Sequence, residues 1–86
     1  MVKVFNMFRE FSMEHVEGYT KLPKWQKNMF DITYKKHLSS MPLKERINYT
    51  ENHIKRVEGE ISLLKVYFEN EGCYLYLPEN KWVKTP

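Results

Sequence analysis

A heptad pattern over residues 43–68 is the feature that most constrains the fold of this 86-residue chain. Apolar residues and one threonine recur there at alternating intervals of four and three, at Leu43, Ile47, Thr50, Ile54, Val57, Ile61, Leu64 and Phe68. A period of 3.5 residues sustained over this length is typical of a left-handed coiled coil. The pattern therefore predicts one long helix, from Pro42 to about Asn70, that buries this seam against a partner.

Charged residues beside the seam favour a parallel homodimer. In that arrangement Arg46 faces Glu51 of the second copy, and Glu60 faces Lys65. Such exposed pairs select orientation, because each contributes only about 0.2–1 kcal/mol. A monomeric three-helix bundle is the alternative, but a helix of this length spans about 43 Å. Two shorter helices would cover little more than half of its seam, so the homodimer is the favoured prediction.

Two shorter helices are predicted before the seam. Apolar residues at helical spacing indicate the first over about Lys3 to Glu17, ending at Gly18, and a strand over Val2–Met7 is the competing interpretation. The second begins near Pro23, because proline is tolerated in the first turn of a helix, and ends near Ser39. Its apolar positions are Trp25, Met29, Ile32 and Leu38.

The residues after Gly72 predict a short β-hairpin or an irregular tail. Apolar residues alternate over 73–77, and Pro78-Glu79-Asn80 has the composition of a turn before Trp82. The predicted fold class is therefore all-α. It is a single small helical domain over residues 1–86, with short helices in 1–41, the long heptad helix in 42–71 and the tail in 72–86.

Composition bears on the cellular setting. The single cysteine, Cys73, excludes an intrachain disulfide framework and favours a reducing compartment. No apolar run approaches the 18–20 residues or so that a membrane helix needs, and Lys3 and Arg9 interrupt any signal-peptide core. We expect a cytoplasmic protein without a membrane partner. The absence of alanine, and 11 lysines against 3 arginines, fit an AT-rich genome such as that of a phage or mobile element, with the host cytoplasm as the location.

A basic belt occupies residues 21–46, where seven cations and two carboxylates give a net charge of +5. The rest of the chain carries −2, since the total is +3. Trp25 and Tyr34 lie within the belt, and aromatic rings among lysines can stack on unpaired bases. The candidate nucleic-acid contacts are Lys21, Lys24, Lys27, Lys35, Lys36, Lys44 and Arg46.

No pattern of reactive residues predicts catalysis. The three histidines, His15, His37 and His53, and Cys73 lack the spacing of zinc ligands, and no glycine-rich phosphate loop occurs. We therefore expect no catalytic, cofactor-binding or metal-binding residues, and no enzyme.

The remaining prediction is a small oligomeric binding protein. It would dock on a larger host or cellular protein or complex and modulate it, as an inhibitor or a recruiter. Aromatic residues exceed what one small core needs, and such residues anchor protein interfaces. Tyr76 and Trp82 are the candidate partner contacts. A basic nucleic-acid-binding regulator that uses residues 21–46 is the alternative.

Overall fold

The structure, a computed structural model, describes Met13 and residues 15–85. A 3-10 turn at Tyr19–Lys21 leads into helix α1 (Lys24–Ser39), followed by the short helix α2 (Leu43–Arg46). Two further 3-10 turns, Ile47–Tyr49 and Glu51–His53, precede a four-stranded antiparallel sheet. Its strands are β1 (Ile54–Gly59), β2 (Leu64–Phe68), β3 (Gly72–Leu77) and β4 (Lys81–Lys84), paired in sequence order.

The prediction of an all-α fold with a long heptad helix is wrong, and the coiled-coil seam is wrong with it. The last five seam positions, from Ile54 onward, fall in strands β1 and β2 or in the turn between them. Leu43 and Ile47 lie before the sheet and are exposed, and Ile61 in the β1–β2 turn is 95% exposed. Thr50 lies between two 3-10 turns, where its hydroxyl pairs with His53 Nδ1 at 2.9 Å. The eight seam residues therefore do not form one face: four are buried in the sheet, and Leu43, Ile47 and Ile61 are exposed.

The strands form because a second, shorter period is present in the same residues. In β2, Leu64, Val66 and Phe68 are buried and alternate with the half-buried Lys65 and Tyr67. Alternation with period two, in a segment rich in β-branched and aromatic residues, suits a pleated sheet. The spacing between residues 64 and 68 fits both a heptad and this alternation, and pairing with the neighbouring strands β1 and β3 decides between the two.

The predictions for the second helix and for the C-terminal hairpin are confirmed. Helix α1 occupies 24–39 with Pro23 at its N-cap, and β3 and β4 form a hairpin across the turn at Pro78–Asn80. The predicted first helix at 3–17 and its alternative, the strand at 2–7, lie almost entirely outside the described residues.

Helix α1 packs on one face of the sheet, which we call the inner face. Aromatic contacts join the two layers, since Phe30 stacks on Tyr76 with ring centroids 5.7 Å apart. Met13 and Val16, before the helix, also belong to this core. The inner-face residues of the sheet that are buried are Ile54, Val57, Leu64, Val66, Phe68 and Tyr76.

The chain before α1 is anchored at the edge of β1. Glu17 forms a parallel bridge with Arg56, at the position where the β1–β2 register shifts. The next residue, Gly18, has φ of +89°, and a Cβ there would meet the carbonyl oxygen of Val57. Only glycine combines this backbone conformation with such a close approach.

Candidate functional site

The outward face of α1 carries large apolar side chains in contact with solvent. Trp25 is 55% exposed and Ile32 is 49% exposed. They are seven residues apart, so they lie on the same side of the helix, about 10.5 Å apart along its axis. Lys24, Asn28 and Lys36 on the same side are exposed. We call this surface the α1 outer face.

Trp25 and Ile32 face solvent because other residues of α1 pack against the sheet. The buried residues are spaced at helical intervals of four, three, one and three, and they are Gln26, Phe30, Thr33, Tyr34 and His37. Three of the five are polar, so an apolar stripe does not identify this side. Their spacing fits a helix, but no apolar stripe in the sequence marks this side as the buried one.

Among the described residues, no carboxylate forms an ion pair with a lysine of the basic belt. The three ion pairs between described residues join Arg56 to Glu58, Lys65 to Glu60 and Lys81 to Glu79, at 3.2, 3.3 and 3.7 Å. All three involve sheet strands or their turns, and none involves a belt lysine. Positive charge on the α1 outer face is therefore not neutralised locally by the part of the chain that the structure describes.

The predicted nucleic-acid contacts divide into two groups. Lys21, Lys24, Lys36 and Lys44 are exposed, whereas Lys27 and Lys35 are half-buried and the Lys27 ammonium lies 5.8 Å from the Tyr19 ring centroid. Arg46 is held by a hydrogen bond within the chain, because its Nη2 donates to the carbonyl oxygen of Met41 at 2.8 Å.

Of the three aromatic residues in the belt, Phe30 and Tyr34 are completely buried, so Tyr34 is unable to stack on a base. It has no exposed surface, and its hydroxyl donates to the carbonyl oxygen of Tyr49 at 2.6 Å. Trp25 is therefore the aromatic residue of the belt that a ligand can reach.

The predicted partner contacts, Tyr76 and Trp82, belong to an aromatic cluster around His37. Tyr76 is completely buried, and its hydroxyl shares a 2.8 Å hydrogen bond with His37 Nδ1. Trp82, half-buried, stacks on the imidazole with ring centroids 5.2 Å apart. Tyr76 thus lies in the core and offers no surface, and Trp82 offers part of one ring. The further rings around His37 are those of Tyr49, Phe68 and Tyr74.

Burial lowers the pKa of His37 to about 4, because the aromatic surroundings disfavour the imidazolium form. The ring is 3% exposed, so a substrate has no access to it. This histidine serves the core as a neutral hydrogen-bonding group.

A hollow of about 410 Å³ lies on the other side of the sheet, the outward face. Register places Arg56, Tyr67 and Cys73 in one row across β1, β2 and β3, and the hydroxyl of Thr85 donates to the Cys73 carbonyl at 2.9 Å. The Arg56 guanidinium lies 4.3 Å from the centre of the Tyr67 ring and pairs with Glu58. Glu17 and Lys55 also line the hollow, so its charges balance.

Among Met13 and residues 15–85, no group of three or more histidine, cysteine or acidic side chains is arranged to hold a metal ion. No helix in the same part of the chain has the length and apolarity to cross a membrane.

Comparison with known proteins gives no further guide: no family model, no curated protein and no solved structure matches this chain.

Proposed function

We propose that this chain is a small non-enzymatic binding protein that docks on a larger protein through the α1 outer face. The observation that carries the proposal is the exposure of Trp25 and Ile32, one above the other, among lysines that no carboxylate of the described residues pairs with. Tryptophan is among the residues that most often dominate the energy of a protein interface.

The same surface indicates the chemistry of the partner. Two apolar side chains about 10.5 Å apart along a helix suit a partner with two apolar pockets at that spacing. Lys24 and Lys36, beside them, favour acidic residues on the rim of those pockets. The partner is thus a protein with an acidic surface around an apolar cleft. The single cysteine, free in the structure, supports a reducing compartment such as the cytoplasm.

A protein partner fits this surface better than a nucleic acid does. Ile32 is aliphatic and has no ring to stack on a base, and Leu43 at the start of α2 is a further exposed aliphatic residue. With Tyr34 buried, one belt aromatic remains for stacking. Lysine is also less suited than arginine to bidentate recognition of base edges.

Nucleic acid is the second candidate, because Trp25 lies among lysines that form no ion pair with a carboxylate between residues 15 and 85. Binding of this kind would depend on phosphate contacts and would weaken steeply with salt as counterions are released. Replacing Lys24, Lys27, Lys35 and Lys36 with glutamine would then flatten the salt dependence. We expect the wild-type chain to bind duplex DNA no more tightly than about 10 µM at physiological salt, in the non-specific range.

The test is affinity capture from a nuclease-treated bacterial lysate with four forms of the protein: wild type, Trp25→Ala, Ile32→Ala and, as a matched control, Ile61→Ala. Ile61 is also exposed and aliphatic but lies in the β1–β2 turn. A protein retained by the wild type and the control, and lost with both α1 variants, is identified and purified for titration.

In that titration Trp25→Ala should weaken binding at least about tenfold, the effect of removing an interface anchor. Retention that is equal for all four forms would contradict docking through the α1 outer face. Retention that is seen in an untreated lysate but lost after nuclease treatment would contradict a protein partner. Sub-micromolar, sequence-dependent DNA binding at physiological salt would favour the nucleic-acid function instead.

A further inference from the structure

The outward face of the sheet carries a second apolar surface. Leu75 on β3 and Val83 on β4 are directly paired neighbours there, and Val83 is 46% exposed. Tyr67 and Cys73 form the adjoining pair toward β2. None of the four belongs to the core cluster that α1 covers. We call these four residues the sheet strip; contiguous apolar surface of this kind on a small protein marks a contact site.

Charge distinguishes the sheet strip from the α1 outer face. Beside the strip, Arg56 pairs with Glu58 at 3.2 Å and Lys65 with Glu60 at 3.3 Å, so this surface is locally neutral. The α1 outer face instead carries lysines that have no carboxylate partner in the part of the chain that the structure describes. Two copies of the chain that meet through α1 repel each other, whereas two copies that meet through the sheet strip do not.

We infer that the outward face of the sheet binds a second copy of this chain, in a twofold homodimer centred on the sheet strip. Each strip meets its own equivalent across the twofold axis, as in any isologous interface. The two sheets then stack about 10 Å apart, with a helix layer on each outside. This dimer is unrelated to the coiled coil expected from the heptads, and it does not depend on the proposed partner of α1.

Size gives the contact a physical reason. A domain of this length buries only about 60% of the surface that its unfolded chain exposes. Small domains without disulfides or metal sites often gain stability by oligomerisation. Covering the sheet strip would remove Leu75 and Val83 from water, and the two cations beside the strip, Arg56 and Lys65, have carboxylate partners.

The test is sedimentation equilibrium of the full chain over about 1–100 µM, with Val83→Glu and Ile32→Glu as a matched pair. Both side chains are β-branched and nearly equally exposed, at 46% and 49%, but Ile32 lies on α1. We expect twice the 10.5 kDa chain mass for the wild type and for Ile32→Glu, and the single-chain mass for Val83→Glu. Circular dichroism shows whether each variant is folded.

Should Val83→Glu fail to fold, Val83→Thr keeps the shape of the side chain and should weaken dimerisation at least about threefold. A wild-type chain that stays monomeric at 100 µM overturns the proposal. A dimer that folded Val83→Glu leaves intact, or that Ile32→Glu disrupts, overturns it as well.

Discussion

Nδ1 of His37 and the hydroxyl oxygen of Tyr76 lie 2.8 Å apart and share a hydrogen bond that joins α1 to β3. Both residues are buried, at 3% and 0% exposure, so water does not replace either partner. Burial favours the neutral form of this imidazole.

The first prediction is that this histidine makes the protein acid-sensitive. In the unfolded chain His37 takes up a proton near its ordinary pKa of 6.5, but in the folded protein only near pH 4. The contribution of neutral His37 to the free energy of unfolding is therefore complete above pH 6.5. It is lost as the pH falls toward 4. The loss amounts to about 3 kcal/mol for this group.

Urea unfolding at several pH values between 4 and 7.5 measures this loss. The control is His37→Gln, which keeps a hydrogen-bonding group opposite Tyr76 but does not titrate in this range. Its free energy of unfolding should depend less on pH than that of the wild type. Equal pH dependence in both proteins would contradict the assignment to His37.

The second prediction concerns Gly59→Ala. The predicted helix and the observed sheet give opposite signs for its effect on the free energy of unfolding. In an exposed helix position, Gly→Ala would stabilise the protein by about 1 kcal/mol. In the structure Gly59 ends β1, and an added Cβ would meet Gln26 Oε1 and lie 2.8 Å from Leu22 Cδ2. We expect Gly59→Ala to destabilise the fold by about 1–3 kcal/mol, as overpacking does. Thermal unfolding shows which sign is correct.

The third prediction contrasts two isoleucines of the heptad pattern. Ile61 is 95% exposed in a turn, so Ile61→Asp should change the free energy of unfolding by less than about 0.5 kcal/mol. Ile54 is 3% exposed in β1, so Ile54→Asp buries a charge and should prevent folding. Circular dichroism of the two purified variants tests both statements. Equal damage from both substitutions would indicate a shared buried seam.

The fourth prediction uses the two tryptophans as reporters. Trp25 is exposed on α1, whereas Trp82 stacks on His37. Trp82→Phe should therefore leave a red-shifted emission that iodide quenches readily, and Trp25→Phe a blue-shifted emission that iodide quenches weakly. Truncation should also distinguish the two residues. Trp25→Ala should lower the free energy of unfolding by less than about 0.5 kcal/mol, and Trp82→Ala should lower it by about 2–3 kcal/mol. Similar quenching of both single-tryptophan proteins would contradict these placements.

The sequence predicted those parts of the fold that local chemistry decides. Proline before a run of helical spacing marks α1, and the Pro78–Asn80 turn marks the β3–β4 hairpin. Strands β1 and β2 were predicted as helix because their apolar residues satisfy the heptad spacing as well as alternation. Which of the two periods forms depends on pairing across the sheet, such as Val57 with Val66, and such contacts leave no local mark.

The candidate site was predicted in its charges but not in its orientation. The lysines of the belt are visible in the sequence, and those at 21, 24, 36 and 44 are exposed. The apolar spacing of Trp25 and Ile32 predicts that they lie on the buried side of α1. In the structure they are exposed, and the buried side carries Gln26, Thr33 and His37. The side-chain amide of Gln26 donates to the carbonyl oxygen of Glu60, and His37 shares a hydrogen bond with Tyr76; both bonds depend on the tertiary structure.

The position of α1 on one face of the sheet, opposite the sheet strip, limits the geometry of binding. In a homodimer joined through the two strips, the α1 outer faces point in opposite directions, about 40 Å apart across two sheets and two helices. A single partner with one cleft cannot engage both faces, so the dimer gains no avidity from that partner. It can instead hold two partner molecules at once, as a bridge of fixed length between them.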